Sequence, residues 1–302
     1  MLTRSFRYDT SGRWYKGNTH IHSSASDGGK SLREVSDLYA SAGYDFLFST
    51  DHWVASHNAR SQGTNSLLML DGIELDGHDP GGAYYHVVCL GHTEGITREA
   101  GFAQALQTAR EQQAILILAH PHWVGNTLEE ANRWDFHGVE IYNHVCHWLN
   151  GKGDGAVYWN AMLKQNPHTL ALSVDDAHLR PEHPGWNGGW ITVNTPELTQ
   201  QAVLDAIKRG NFFSSCGPEF QTIVLEGNEI VITTSPVQFV RLVGPASLGK
   251  RVGSFDGQLL TTARMEIPLD WDYVYLEIED ADGRRAWSNT LFGGDRSGHA
   301  SG

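Results

Sequence analysis

The chain has 302 residues, 40% hydrophobic and 19% charged, enough for a full core in one large domain with a smaller one appended. A formal net charge of −13 argues against an extended basic groove for nucleic acid, and no apolar run is long enough to cross a bilayer. Three widely spaced cysteines, Cys89, Cys146 and Cys216, make no disulfide framework, and residues 1–14 lack the apolar centre of a signal peptide, so the expected location is the cytoplasm. Sixteen histidines in so acidic a chain point to imidazoles and carboxylates gathered around cations.

In chain order, Lys16-Gly17-Asn18-Thr19-His20-Ile21-His22-Ser23 reads as a short strand, which puts His20 and His22 on one face, with Asp27 soon after. Ser31-Leu32-Arg33-Glu34 is a capping box opening a helix with Leu32, Val35, Leu38, Tyr39 and Ala42 inward and Gly43 as its stop. Residues 44–50 form a buried strand that delivers Asp51 and His52. Residues 67–70 lead through Asp71-Gly72 into Ile73-Glu74-Leu75, a Gly-rich loop spans 77–82, and 83–90 is a strand carrying His86. A helix at 102–113 precedes a buried strand at 114–119 that ends in His120-Pro121-His122. Residues 138–143 are a further strand, 145–166 a loop and a helix, and 169–174 a strand ending in Asp175-Asp176-Ala177-His178. Thr195-Pro196-Glu197 opens a helix that Gly210 stops.

Strands alternating with helices predict parallel βα units. His52, His120 and the Asp176/His178 pair each fall just past the C-terminal end of an apolar strand, and in a βα barrel those ends converge on the active-site face. Beyond Cys216-Gly217-Pro218 the pattern is all-β, with hairpin signals at Gly227-Asn228 and Asp280-Ala281-Asp282-Gly283. The expected organisation is therefore α/β: a barrel over 1–216, a small all-β domain with a structural or oligomer-forming role over 217–292, and a flexible tail over 293–302.

Taken together, His20-x-His22, Asp27, His52, Glu74, His86, His120 and Asp176-x-His178 resemble the motif set of the PHP (polymerase and histidinol phosphatase) family. The flanking Gly43-Tyr44-Asp45-Phe46, Thr50-Asp51-His52 and Gly72-Ile73-Glu74-Leu75 extend the likeness. Phe212-Phe213-Ser214-Ser215-Cys216-Gly217-Pro218 with its trailing β segment resembles the branch containing the carbaryl-hydrolase-like proteins. The resemblance implies a distorted (β/α)7 barrel holding two or three divalent ions. It implies His20, His22, Glu74 and Asp176 around the first ion, Glu74 bridging to a second held by His86 and His120, and Asp27, His52 and His178 around a third. Some members carry His where this chain has Asp27.

Six imidazoles and three carboxylates without a thiolate suit Zn, Mn or Fe and do not select among them. Such ions attract a phosphate, and a water shared by two of them ionises near neutral pH, which makes it the expected nucleophile. Glu74, Asp176, His178 and His122 are the expected catalytic residues, His122 as a substrate contact or proton donor. Asn143, Lys152 and Arg180 follow strands and are expected to bind substrate. Asp51 and Asp175 are expected to support the ligands beside them. Trp148, Tyr158, Trp159 and residues 184–190 either wall the pocket or fill the core, and His57, His78, His92, His137, His144, His147, His168, His183 and His299 read as surface histidines. The expected function is hydrolysis of a phosphoester in a small, phosphorylated substrate, with no nucleic-acid or membrane partner and with scope for homo-oligomers. A carboxylic or carbamic ester hydrolase is the second reading, a nucleic-acid exonuclease a third, and a non-enzymatic barrel using its metals structurally a fourth.

Overall fold

The structure, a computed structural model, describes residues 5–55, 67–253 and 255–293. His57, His299 and all but the first residue of the expected tail lie outside them. The strands are β1 (Ser5–Phe6), β2 (Arg13–Asn18), β3 (Phe46–Ser49), β4 (Leu68–His78), β5 (Tyr84–Leu90), β6 (Ile115–Leu118), β7 (Gly138–Asn143), β8 (Leu170–Val174), β9 (Trp190–Thr195), β10 (Phe212–Ser215), β11 (Phe220–Glu226), β12 (Glu229–Val237), β13 (Phe239–Val243), β14 (Gly249–Gly253), β15 (Leu260–Glu266), β16 (Tyr275–Glu279), β17 (Arg285–Ser288) and β18 (Phe292–Gly293). The helices are α1 (Leu32–Ser41), α2 (Phe102–Glu111), α3 (Pro121–Val124), α4 (Leu128–Ala131), α5 (His144–Asn150), α6 (Ala156–Gln165) and α7 (Gln200–Arg209).

Thirteen strands form one mixed sheet in the order β14-β13-β16-β17-β10-β9-β2-β3-β4-β5-β6-β7-β8. Two blocks are parallel, β2-β3-β4 and β6-β7-β8, and their strands are mostly buried and apolar, as parallel sheets require. Between them β5 runs antiparallel to both neighbours, which corrects the all-parallel reading. The Gly-rich segment is too short for a crossover. It closes instead as a hairpin in which Gly82 N–H donates to Asp79 O at 2.9 Å and Ala83 N–H to the Asp79 side chain at 2.9 Å. β10 and β8, far apart in that order, meet through side chains: Ser214 Oγ donates to Ala171 O at 2.8 Å and Ser173 Oγ to Ser215 O at 2.8 Å. Among the described residues no backbone ladder joins β8 to β9 or β10.

The capping box forms as expected: Ser31 Oγ accepts from Glu34 N–H and the Glu34 carboxylate accepts from Ser31 N–H, starting α1 with Leu32, Val35, Ser36 and Tyr39 buried. The helix expected at Thr195 starts later. Thr195 is the last residue of β9, paired with Arg13 of β2, and Thr199 caps α7 by accepting from Ala202 N–H. Both threonines suit a cap, and sheet pairing of the buried Trp190–Thr195 run decides between them.

The expected boundary after Cys216 separates β10 from β11, yet the sheet crosses it, because β17 pairs with β10. Tyr273, Tyr275 and Trp287 share a core with Trp159, Val139 and Leu116. The three-stranded sheet β11-β12-β15 packs Ile223, Ile230 and Ile232 against Phe213 and Tyr8. Gly293, expected in the tail, pairs with Ser5 in a two-stranded sheet.

Candidate metal centre

Sheet β2 ends at Asn18, short of the histidines, and the His-x-His segment is held between two loops instead. Ile21 N–H donates to Thr50 Oγ1 at 3.0 Å, His22 N–H to Ala177 O at 3.0 Å and Asp176 N–H to His20 O at 2.9 Å. The extended backbone buries Ile21 completely and turns both imidazoles to the opposite side, where His20 Nε2 and His22 Nε2 lie 3.1 Å apart.

Four atoms share that focus. His20 Nε2 is 3.0 Å and His22 Nε2 3.2 Å from Glu74 Oε2, and the same nitrogens are 3.3 and 3.0 Å from Asp176 Oδ1. The other oxygen of Glu74 faces His86 Nδ1 at 2.8 Å and His120 Nε2 at 3.3 Å. Asp27 stands 3.3 Å from His178 Nε2 and 3.5 Å from His22 Nδ1, and its carboxylate groups with His22, His52 and His178. His52 Nε2 also lies 3.3 Å from Glu74 Oε2, so it borders two of the groups. All nine positions come together in one cluster.

These residues fit divalent ions. Two Nε2 atoms 3.1 Å apart cannot both donate to the carboxylates they share, whereas a cation at their common focus takes both lone pairs. The Nδ1 atoms of His22 and His120 are buried without a hydrogen-bond partner. Surrounding groups also select the ligating tautomers. His20 Nδ1 donates to Glu140 Oε1 at 2.7 Å and His178 Nδ1 to Asp176 O at 2.8 Å, leaving each Nε2 with its lone pair. Burial pushes Glu74 up, but His20, His52 and His86 outweigh it and hold the carboxyl well below its ordinary range. Burial disfavours the charged form of His22 too, but hydrogen bonds that its ring donates to Asp176 and Glu74 carry its pKa up to about 9. The cluster is an electrostatic sink for positive charge.

The supporting shell is partly as expected. Asp51 accepts from Ser23 N–H at 2.8 Å and Ser23 Oγ at 2.6 Å, fixing the loop that carries Asp27. That loop is tight: a Cβ on Gly28 would lie 2.6 Å from His22 O. Asp175 accepts from Tyr39 Oη, Asn18 Nδ2 and the N–H groups of Asn187, Gly188 and Gly189, tying α1 and residues 187–189 to the strand end. Sequence reasoning missed Glu140 and Asp76. Glu140 is a buried carboxylate inside the apolar run Val139–Ile141, and that misfit was its signal. Asp76, two residues past Glu74 and so on the same face of β4, lies 3.4 Å from His52 Nδ1 and accepts from Trp53 Nε1 and Arg98.

Other expected contacts fall elsewhere. Pro121 begins α3 at its first turn, and His122 is exposed on it rather than continuing the strand. Trp123 takes the place beside the cluster, its ring 5.3 Å from that of His120. Asn143 donates to Glu140 and Asp176 and caps α5 through Cys146 N–H, so its side chain is committed inside the protein. Lys152 is exposed, away from the cavity. Arg180 does line the cavity, 3.8 Å from Asp27. Of the other histidines, His183 also lines it, while His137 is exposed, as expected, with its Nδ1 accepting from Leu116 N–H of β6. Trp159 is core and Trp148 is half exposed. The cavity, about 220 Å³, has the metal-type cluster on one side and Trp123, Val145, Cys146 and Leu149 on the other.

Two strand-end ligand positions have left-handed backbone, His120 at φ 26° and Asp176 at φ 57°. Such conformations cost about 1–3 kcal/mol each for non-glycine residues and concentrate at functional sites.

No protein-family model and no curated protein matches this sequence. Among solved structures, the chain is similar to a two-domain protein from Bacteroides vulgatus ATCC 8482 containing a predicted PHP-like metal-dependent phosphoesterase. The match has 15% identity and a TM-score of 0.55, and covers 94% of this chain and 97% of that one. The chain has that protein's fold. A candidate metal-dependent phosphoesterase from Bifidobacterium adolescentis ATCC 15703 is 12% identical, with a TM-score of 0.46, over 64% of this chain and 96% of that one. An amidohydrolase from Chromobacterium violaceum with bound SO4 and no metal is 23% identical, with a TM-score of 0.23, over 56% of this chain and 57% of that one. No helix among the described residues is long and apolar enough to cross a membrane.

Proposed function

We propose that the chain is a metal-dependent hydrolase of phosphoesters. Glu74 carries the reading. Buried at the centre, it presents Oε2 to His20, His22 and His52 and Oε1 to His86 and His120, so with these imidazoles it would hold divalent ions. Asp176 completes the first group, and Asp27 with His52 and His178 offers a third. When bound, such ions polarise an ester oxygen and lower the pKa of water to near neutrality, and the ligand set accommodates Zn, Mn or Fe.

The chain's own side chains then set geometry and access. Glu140 and the Asp176 carbonyl hold His20 and His178 as Nε2 ligands. Trp123, Val145 and Leu149 form an apolar wall that displaces water and accepts an apolar leaving group. Arg180 is the one Lys or Arg lining the cavity among the described residues. A single guanidinium matches the single charge of a phosphodiester better than a dianionic monoester. The same apolar wall and sparse positive charge favour the second reading, a carboxylic or carbamic ester hydrolase as in the carbaryl-hydrolase-like branch.

The test assays metal-loaded protein on bis-p-nitrophenyl phosphate, p-nitrophenyl phosphate and p-nitrophenyl acetate, beside an identically prepared Glu74→Gln variant. Diester turnover should exceed monoester turnover and fall by about 100-fold or more in the variant. Acetate turnover alone, lost in the variant, establishes the second reading. No variant-sensitive turnover on any of the three overturns both.

A further inference from the structure

A second cavity, about 580 Å³, opens at the opposite end of the strands from the metal-type cluster. Its lining includes Ala114 just before β6, Ile115 at its start, His137 just before β7 and Leu170 at the start of β8. These three strands are mutually parallel, and the same strands lead at their other ends to His120, Asn143 and Asp176. The two cavities therefore share a scaffold and no residues.

Around this apolar floor stand Arg7, Arg110, Lys208, His137 and His168, with no carboxylate in the lining. That is a concentration of cations in a chain whose formal charge is −13. Arg7 is partly buried and donates to two neutral acceptors, Thr290 Oγ1 at 3.1 Å and His168 Nδ1 at 2.7 Å. Among the described residues, Arg110 alone of the three permanent cations has a carboxylate partner, the exposed Asp135 at 4.0 Å. A guanidinium taken partly from water without a counter-ion is costly unless an anion completes its surroundings.

The imidazoles add donors. His137 Nδ1 accepts from Leu116 N–H at 3.0 Å and His168 Nδ1 accepts from Arg7, so in the neutral ring each carries its proton on Nε2. Burial of its inner edge lowers the pKa of His137, Arg110 lowers it further, Asp135 opposes this, and Lys208 adds a smaller lowering. Arg110 and Lys208 sit in the last turns of α2 and α7, where a cation offsets the negative helix end. That role explains each of them singly and leaves their convergence with Arg7 unexplained.

We propose that this cavity is a binding site for a small phosphomonoester, separate from the metal centre. A dianionic phosphate matches the charges of Arg7 and Lys208, neither of which has a carboxylate partner among the described residues, and guanidinium groups bind its oxygens in forked geometry. The volume exceeds what a bare phosphate needs, and Ala114, Ile115 and Leu170 supply a floor for an organic body.

The test is calorimetric titration of the full chain at low salt with phenylphosphonate, which has an organic body and no ester to cleave, and with inorganic phosphate. Phenylphosphonate should bind saturably and more tightly than phosphate. In an Arg110→Gln/Lys208→Gln double variant, whose changes lie on helix surfaces and whose melting temperature reports folding, that binding should weaken by about tenfold or more. In Glu74→Gln it should persist within about twofold, since that residue belongs to the other cavity. Binding lost in Glu74→Gln but kept in the double variant would put the anion on the metal centre and overturn the proposal. So would the absence of saturable binding in the unaltered chain.

Discussion

Glu140 accepts three hydrogen bonds, from His20 Nδ1 at 2.7 Å, His120 N–H at 2.8 Å and Asn143 Nδ2 at 2.9 Å. A carboxylate has lone pairs for all three, whereas an amide has a single accepting oxygen and would turn an NH2 toward at least one donor. Glu140→Gln should therefore weaken binding of Zn by about 10–100-fold, because the orientation of His20 and the backbone of His120 are both disturbed. It should also destabilise the fold by about 1–3 kcal/mol through an unmatched buried donor. Competition with a zinc-chelating dye and urea unfolding read the two effects; unchanged affinity would show that Glu140 does not orient the ring. At this scale the sequence was most informative, because nine acid and imidazole positions beside apolar strands announce their chemistry by type and place. Glu140 and Asp76 escaped because a carboxylate that meets a ligand's far nitrogen has no spacing rule of its own. His122 misled for a local reason, since only a continuing strand would bring it beside His120, and Pro121 begins a helix instead.

The elements that carry these residues are joined by contacts that titrate. His137, between α4 and β7, is exposed at its outer edge but accepts from Leu116 N–H of β6 at 3.0 Å, and it is held below the ordinary imidazole pKa by burial of that inner edge and by Arg110, with Asp135 opposing and Lys208 adding a smaller lowering. A histidine with a lowered folded pKa contributes stability that is present above the unfolded value near 6.5 and is lost as pH falls through the folded value. The chain should thus lose stability on acidification below about 6.5, in part through this ring. His137→Asn keeps an acceptor for Leu116 N–H and removes the titration. The difference in urea midpoint between the two proteins should change between pH 7 and 5, with the variant falling less. Parallel slopes would assign the acid sensitivity to other groups. Element types were largely legible, as the capping box of α1 and the apolar runs of β3, β6 and β8 show. Strand direction was not: the antiparallel β5 follows from a five-residue hairpin, and β9 was hidden because Thr195-Pro196 imitates a helix start.

At the scale of the whole chain, pairing between distant segments decides the architecture, and no local pattern encodes it. β17 adds to β10 through Phe213, Ser214 and Ser215, and Trp287 is buried at 1% exposure in the core that also holds Trp159 and Val139. Trp159 and Tyr275 rings lie 4.4 Å apart, and Tyr8, near the start of the chain, donates to Phe212 O and accepts from Asn289 N–H. The β-rich segment after Cys216 thus supplies core and hydrogen bonds to the part bearing the candidate metal ligands. Removing it would expose the edge of β10 and the apolar face beneath Trp159, both routes to aggregation. The intact chain should unfold in one cooperative calorimetric transition, and Trp287→Ala should destabilise that single transition by about 3–5 kcal/mol. A chain ending at Gly217 should fail to give a soluble, metal-binding protein. Two resolved transitions, or a folded and metal-binding 1–217 fragment, would instead make the β segment an independent domain. The candidate metal centre would then owe nothing to the strands that extend its sheet.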